Sequence, residues 1–282
     1  MSAPAPALAT EAKLDELRKL LRGMGSVLVC YSGGIDSAFV LAVATKELGE
    51  RAVGLTAVSP SLPAGEREDA ARTARNVGAV HRFVESHEME RPGYVANGPD
   101  RCFHCKSELY DIAQAKQKEW GLAFIVNGTN LDDLGDHRPG LEAAKRAGVR
   151  SPLVEAGFDK ALIREAARSI GMDVWDKPAA ACLSSRIPYG TSVTRERLEQ
   201  IGGFEADLRA LGFRQLRVRW HDQVARIELE LSELPRMLDP DLRAAVVVLG
   251  KKHGFPYVTL DLAGYRQGSH NEVLRGRSLR VV

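Results

Sequence analysis

Residues 26–31 (SVLVCY) form an unbroken apolar run of strand length that ends in Ser32, Gly33 and Gly34. Residues 38–48 then read as a buried helix that stops at Gly49. A buried strand passing through a glycine turn into a buried helix restricts the fold strongly, because a parallel neighbour can be reached only by a right-handed crossover. The same alternation recurs downstream. The patterning predicts strands over 52–58, 81–84 and 124–126, and helices over 65–77, 106–120 and 160–170, the last with Asp159 placed to cap it. Leu14, Leu17, Leu20 and Leu21 share one face of a leading helix over 8–22, which Gly23 and Gly25 break. The expected class is α/β, a doubly wound parallel sheet whose ligands sit at the carboxyl ends of the strands.

Beyond Pro178 the texture changes. A helix over 194–211, alternating runs over 214–220 and 224–231, a mostly helical stretch over 232–252 and a last strand over 257–262 describe a second, smaller α+β domain. The boundary falls between 176 and 194, giving domains at 1–178 and 179–282. The 282 residues suffice for two cores, and 44% hydrophobic with 27% charged residues excludes a disordered or fibrous chain. Lys and Arg total 39 against 37 Asp and Glu, a net charge of +2 that suits small anions and argues against a nucleic-acid partner. Residues 1–9 lack the basic and apolar regions of a leader, and no run reaches the roughly 18 apolar residues of a membrane span. A cytoplasmic protein is expected, with no membrane partner. Four cysteines are too few for a disulfide scaffold, so each is considered first as a thiol, a ligand or a nucleophile.

Residues 31–37 (YSGGIDS) lie between the first strand and its helix, where backbone N–H groups and the helix dipole converge on an anion. Gly33 and Gly34 permit close approach, Ser32 and Ser37 can donate hydroxyls to phosphate oxygens, and Asp36 can hold Mg²⁺ or orient the loop. The loop lacks the Gly-Lys-Ser/Thr ending of a Walker A motif and the GxGxxG of dinucleotide folds. It resembles SGGxDS, the loop with which PP-loop ATP pyrophosphatases bind ATP and release pyrophosphate. A second loop, residues 127–140 (NGTNLDDLGDHRPG), begins where another strand ends. Asn127, Thr129 and Asn130 can hydrogen-bond a nucleotide, Asp132, Asp133 and Asp136 offer hard oxygens, and Arg138 offers a fork for phosphate. Seen alone, it also reads as a solvated turn rich in Asn, Asp and Gly, a reading that weakens beside the first loop.

Cys182 stands in residues 181–190 (ACLSSRIPYG), with Arg186 near enough to favour a thiolate; Ser185 and Arg186 complete the candidate catalytic set. A lone cysteine of this kind is as often a small buried hydrophobe. Cys102 and Cys105, in residues 101–106 (RCFHCK), are spaced to reach one metal or cluster, and with Cys182 make three thiolates. Three are too few to close a zinc site unless His104 or another group joins, and enough for a [4Fe–4S] cluster with one open iron. Cys30 is read as packing. Arg217 and Arg219 share a strand face, suited to a phosphate if it is turned inward and to water if it is not, with Arg214 and Arg226 adding charge nearby. Glu205 and Glu228 are either divalent-metal ligands or ion-pair partners of those arginines.

Together these motifs closely resemble the LarE family, PP-loop sulfur transferases that build a nickel-pincer nucleotide cofactor. The matching stretches are 31–37, 56–63 (TAVSPSLP), 101–106, 127–140, 182–190, 217–219 (RVR) and 257–271 (YVTLDLAGYRQGSHN). The resemblance implies ATP-dependent adenylation of a carboxylate on a nicotinate-derived mononucleotide, then replacement of the activated oxygen by sulfur. It further implies ATP and Mg²⁺ as cofactors, a homo-oligomer and a nickel-inserting partner protein. Two sulfur chemistries occur in the family. In one, the cysteine at the position of Cys182 gives up its own sulfur and becomes dehydroalanine; in the other, three cysteines hold an iron–sulfur cluster. The set Cys102, Cys105 and Cys182 matches the second arrangement, and both routes use Cys182. A PP-loop tRNA thiolase is the alternative within the superfamily, but it needs a basic surface with stacking aromatics, and 6% aromatic residues supply little. A regulatory nucleotide-binding module without catalysis would leave the three cysteines unexplained.

Overall fold

The computed structural model describes residues 6–135, 139–173, 175, 181–266 and 268–275. They divide into two compact units, the first made of Met1–Ser59, Ala64–Tyr94 and Pro99–Ala180, the second of Pro60–Pro63, Val95–Gly98 and Ala181–Val282. A single cut near 178 does not capture this division. Two short segments from the first hundred residues belong to the second unit, and residues 176–180, where the expected boundary falls, lie outside the described residues.

In the first unit four parallel strands, β1 (Val27–Cys30), β2 (Ala52–Val58), β3 (Val80–Glu85) and β4 (Phe124–Val126), run in the order β3-β2-β1-β4. Val27 stands opposite Ala52 on one side and Phe124 on the other, which makes β1 and β2 interior strands. Side chains alternate across the sheet. Val27 and Val29 face a core with α1 (Pro6–Met24) and α2 (Ile35–Leu48), built from Leu14, Leu17, Leu21, Phe39 and Leu41. Leu28 and Cys30 face the opposite core, with Leu55, Ile125, Tyr110 and Ala113. Both faces are therefore covered, as a parallel sheet requires.

α3 (Ala64–Asn76) connects β2 to β3, and α4 (Pro92–Val95) is a single turn. α5 (Arg101–Glu119) begins five residues before the predicted start, immediately after Asp100. Cys102 and Cys105 consequently lie within a helix rather than in the loop before it. α6 (Pro139–Arg146), α7 (Pro152–Glu155) and α8 (Lys160–Ser169) follow, and the Asp159 carboxylate accepts the Leu162 N–H at 2.8 Å as the capping pattern predicts. Among the described residues no helix is long and apolar enough to cross a membrane.

The second unit is built on a three-stranded sheet. β5 (Leu216–His221) and β6 (Val224–Leu229) form an antiparallel hairpin whose turn residue Asp222 has φ 55°, and β7 (Tyr257–Leu260) joins β6 in parallel. α9 (Arg195–Ala210) contributes Leu198, Ile201, Phe204 and Leu208 to the core. The stretch expected to be mostly helical divides into a 3₁₀ segment at Leu231–Leu238, with Pro235 inside it, and α10 (Pro240–Lys252), which Asp239 caps. Proline has no N–H to continue an α-helical ladder, which accounts for the break. α11 (Glu272–Arg275) is the last described turn.

This unit also buries charge. Arg186 is the largest fully buried side chain, and its Nε donates to Glu205 Oε1 at 2.9 Å and its Nη2 to Oε2 at 3.2 Å. Arg209 and the Val218 N–H supply Glu205 with two more donors, each at 3.0 Å. Burial alone would raise the Glu205 pKa; Arg186, Arg209 and the Val218 N–H outweigh it and hold the carboxyl below its ordinary range. A carboxyl depressed in this way adds stability that is complete above its unfolded value, about 4.3, and is lost as the pH falls through the folded value. Glu205→Gln is expected to lower stability at neutral pH by about 3–5 kcal/mol, since it leaves Arg186 buried without its counter-charge. The deficit against wild type should narrow below about pH 4, and denaturant titrations at neutral and acidic pH measure both effects.

Candidate functional site

In the first unit the loops after β1 and β4 lie together at the carboxyl ends of the strands, where the candidate site is expected. Tyr31 extends the β1 pairing by one residue, its N–H donating to Leu55 O at 2.8 Å, and the chain then turns through Gly33 at φ 80°. A side chain at Gly33 would be strained by that φ and would meet the Ala70 methyl at 3.0 Å, so glycine is required twice over. Ser37 organises the loop from within. Its hydroxyl donates to Gly34 O at 3.1 Å and accepts the Ser32 N–H at 3.1 Å, and Ser32 Oγ lies 3.1 Å away. Gly34, at the N-cap of α2, offers no side-chain cap, which leaves the first-turn N–H groups directed at the loop mouth for an anion. Ser32 is exposed there, and Asp36 stands in the same first turn.

The second loop meets the first through a residue that the sequence reading did not single out. A Cβ on Gly128 would lie 2.5 Å from Ser37 N, 2.8 Å from Ser37 Cα and 2.9 Å from the Asp36 carbonyl carbon, so the two loops pack backbone on backbone. The visible signal was Asn-Gly directly after a strand. Asn127 is buried: its Oδ1 accepts the Thr129 N–H at 3.0 Å and the Ser151 hydroxyl at 2.9 Å, and its Nδ2 reaches the Tyr110 hydroxyl at 3.4 Å. Asn130 Oδ1 accepts the Asp132 N–H at 3.0 Å, and the Asp132 carboxylate accepts the Lys160 N–H at 2.8 Å. Asp133 Oδ2 in turn accepts the Asn130 N–H at 3.2 Å. These side chains hold the loop against itself and against α8. Asn130 Nδ2 is buried with no hydrogen-bond partner among the described residues. Asp136 and Arg138 lie outside the described residues.

Cys102 and Cys105 are one turn apart on α5, the first exposed and the second half-buried. Cys30 is inert by comparison, since burial pushes its thiol up to about 12. Lys106, which closes the same motif, was not singled out from the sequence. Burial acts to lower its pKa, but Tyr110, Cys105 and Cys30 nearby outweigh it and leave the ammonium above its ordinary range. Among the described residues no three His, Cys, Asp or Glu side chains are gathered as a metal site.

Cys182 belongs to the second unit, exposed at the N-cap of a 3₁₀ turn, Leu183–Arg186. Arg186 lies beneath that turn as a brace. Its Nη1 donates to Ala181 O at 2.7 Å, Cys182 O at 2.9 Å and Ser185 Oγ at 3.0 Å, while the Ser185 hydroxyl donates to Cys182 O at 2.8 Å. Arg186 therefore ties down the backbone of the residue that carries the thiol. Arg219 extends the brace, with Nη1 to Ser185 O at 2.7 Å, Nε and Nη2 to Glu228 at 2.9 and 2.8 Å, and Nη2 to Ser269 Oγ at 2.8 Å. Arg217 and Arg219 are both buried, so the solvated-strand alternative is set aside. Arg217 stands over the Tyr265 ring at 5.0 Å, and burial, with Arg186 nearby, pushes its pKa down to about 10. Glu205 and Glu228 are ion-pair partners. Guanidinium and backbone donors occupy both Glu205 oxygens, and Arg219 takes both Glu228 oxygens, so a divalent metal would have to displace an arginine from either carboxylate.

No family model matches the chain. An uncharacterized protein of Synechocystis sp. is 44% identical over 264 residues, which is 94% of this chain and 98% of that one. The pyridinium-3,5-bisthiocarboxylic acid mononucleotide synthase of Lactiplantibacillus plantarum is 36% identical over 255 residues, 90% of this chain and 92% of that one. A probable tRNA sulfurtransferase of Methanothermobacter thermautotrophicus is 26% identical over 178 residues, covering 56% of this chain and 43% of its own.

Because backbone atoms cannot move aside as a flexible side chain can, Gly128→Ala is expected to force the two loops apart. The expected cost is about 1–3 kcal/mol of stability and roughly a tenfold or greater loss in ATP affinity. Gly23→Ala, in α1 and outside both loops, where no described atom lies within 4 Å of an added Cβ, serves as the neutral control for ATP binding; calorimetric ATP titration and thermal melts check both.

Proposed function

The chain belongs to the LarE family of PP-loop sulfur transferases, and from that premise we propose the chemistry of its site. It is an ATP-dependent sulfur transferase that acts on a pyridinium carboxylate mononucleotide. The observation that carries the ATP half is the meeting of the two glycine loops at Ser37 and Gly128, beside an α2 N-terminus with no side-chain cap. ATP phosphates bind to the N–H groups at the start of α2 with Ser32 and Ser37, Asp36 would hold Mg²⁺, and Thr129 and Asn130 stand in the second nucleotide loop. The substrate carboxylate attacks the α-phosphorus, pyrophosphate leaves, and the acyl-adenylate is the activated species.

Sulfur enters through Cys182. The braced turn presents the thiol while Arg186 and Ser185 fix the carbonyl behind it, and Arg217 receives the substrate phosphate. In the cluster route that the family resemblance implies, Cys102, Cys105 and Cys182 would be the ligands, and a [4Fe–4S] cluster when bound supplies sulfide at an open iron. A second reading is favoured by the exposure of the Cys182 thiol. In it the Cys182 thiolate displaces AMP to form a thioester; loss of the Cα proton then breaks the Cβ–S bond, leaving the thiocarboxylate and dehydroalanine. The product is handed to a nickel-inserting partner. tRNA thiolation is supported only by a relative that shares little more than half of this chain.

Purified protein with Mg-ATP and the pyridinium dicarboxylate mononucleotide should release pyrophosphate and yield a product in which sulfur replaces oxygen, read by mass spectrometry. Asp36→Ala or Ser37→Ala is expected to cut pyrophosphate release by roughly 100-fold, whereas Cys182→Ala should stop sulfur incorporation and leave pyrophosphate release intact. Sulfur transfer by Cys182→Ala at the wild-type rate would refute the assignment. Iron and sulfide analysis of anaerobically purified protein, with the intact mass after turnover, separates the two sulfur routes.

A further inference from the structure

The loop that follows Cys182 is held by a side chain no motif pointed to. Asn97 belongs to the second unit, is fully buried and has φ 54°, a left-handed conformation that asparagine tolerates better than most residues. Its Nδ2 lies 3.2 Å from Ile187 O, 2.9 Å from Pro188 O and 2.9 Å from Thr191 O, so that two N–H bonds serve three carbonyls. Its own carbonyl accepts the Gly190 N–H at 3.0 Å, and Val95 O accepts the Val193 N–H at 2.9 Å. At the other end of the loop Leu183, the residue after Cys182, donates its N–H to Ser61 O at 2.9 Å. The two short segments that the second unit draws from the first hundred residues, 60–63 and 95–98, therefore grip residues 183–193 at both ends.

We infer that Asn97 is a positioning residue for the sulfur step. It fixes the path of the loop after the 3₁₀ turn, and through that turn it fixes the direction in which Cys182 is presented. The inference rests on reading Cys182 as the residue through which sulfur passes. A buried carbonyl with no donor is costly, so removal of the Asn97 amide takes the bond from buried Ile187 O and from half-buried Thr191 O, leaves Pro188 O only the Thr191 N–H at 3.0 Å, and frees the loop at three points. The ATP loops belong to the other unit and share none of these hydrogen bonds, so adenylation is expected to survive a change that disables sulfur transfer.

Asn97→Asp is the most informative substitution. Aspartate keeps the shape and tolerates the backbone angle, but presents acceptors where three carbonyls need donors. Asn97→Gly also suits the angle and removes the amide altogether, so that one variant stands in should the other fail to fold. Iodoacetamide labelling with peptide mass analysis reads Cys182 against Cys102, the exposed cysteine of α5, within the same molecule. The Cys182 to Cys102 rate ratio is expected to rise at least about threefold as the loop opens locally. The kcat for sulfur transfer should fall roughly 10- to 100-fold while the KM for ATP and the rate of pyrophosphate release stay unchanged. An unchanged labelling ratio in a folded variant, or pyrophosphate release falling in step with sulfur transfer, would overturn the inference. If instead Cys182→Ala still transfers sulfur, the reading beneath the inference fails, and the labelling ratio still tells whether Asn97 governs the loop.

Discussion

Arg186 is a guanidinium with a side chain only 1% exposed, and the second unit is arranged around the need to compensate it. A charge moved from water into protein costs several kcal/mol unless a counter-charge and a full set of acceptors replace the solvent. Glu205 provides the counter-charge, from the middle of α9, and the carbonyls of Ala181 and Cys182 provide the rest. The net stability gained from such a pair is small, but the directions of its donors leave the turn at Cys182 little choice of conformation. Arg219 repeats the device one residue away, joining Glu228 to Ser185 O. The exposed thiol thus stands on a backbone whose carbonyls are tied to buried charge.

The first unit solves the opposite problem. At the start of α2, Gly34 stands where Ser or Asp would ordinarily cap, so no side chain covers the helix end proposed to take a phosphate. The rigidity that such an open helix end lacks is restored by Ser37, which ties Ser32 and Gly34 together, and by Gly128, whose missing side chain lets the second loop rest on the Ser37 backbone. One unit offers a helix N-terminus without a side-chain cap and the other an exposed thiol over carbonyls tied to arginine, and the proposed adenylation and sulfur transfer would draw on one each.

Much of this was legible in the sequence, because periodicity and glycine placement are local. The strand at 27–30, the Ser32–Ser37 turn, the Asp159 cap and the hairpin around Asp222 each follow from a few adjacent residues. Residues 101–105 gave no apolar rhythm, so the start of α5 was read too late; Asp100 in the N-cap position was the signal available. Pro235 likewise announced the break within 231–252. What sequence patterning could not supply were the long-range approaches: Gly128 on Ser37, Asn97 on Ile187, and Glu205 closing on Arg186. Each of them pairs residues that lie 19 to 91 positions apart, with no periodicity linking one partner to the other.

The two arginines of β5 illustrate the same point. From spacing they form a matched pair, one face and two residues apart, and a phosphate fits either. Their surroundings divide them. Arg219 has its fork on Glu228 and further donors on Ser185 O and Ser269, so a phosphate there would compete with contacts that hold the Cys182 turn. Burial first, then Arg186 and Arg219, lower the Arg217 pKa while Glu205 and Tyr265 act against them, and at about 10 it remains charged at neutral pH. A phosphate at Arg217 would offset the positive charge of Arg186 and Arg219, whereas at Arg219 it would disturb the pair with Glu228. The strand therefore carries one brace, Arg219, and the phosphate-binding role proposed above fits Arg217 better, since a ligand there would leave the Arg219 contacts with the thiol's turn in place.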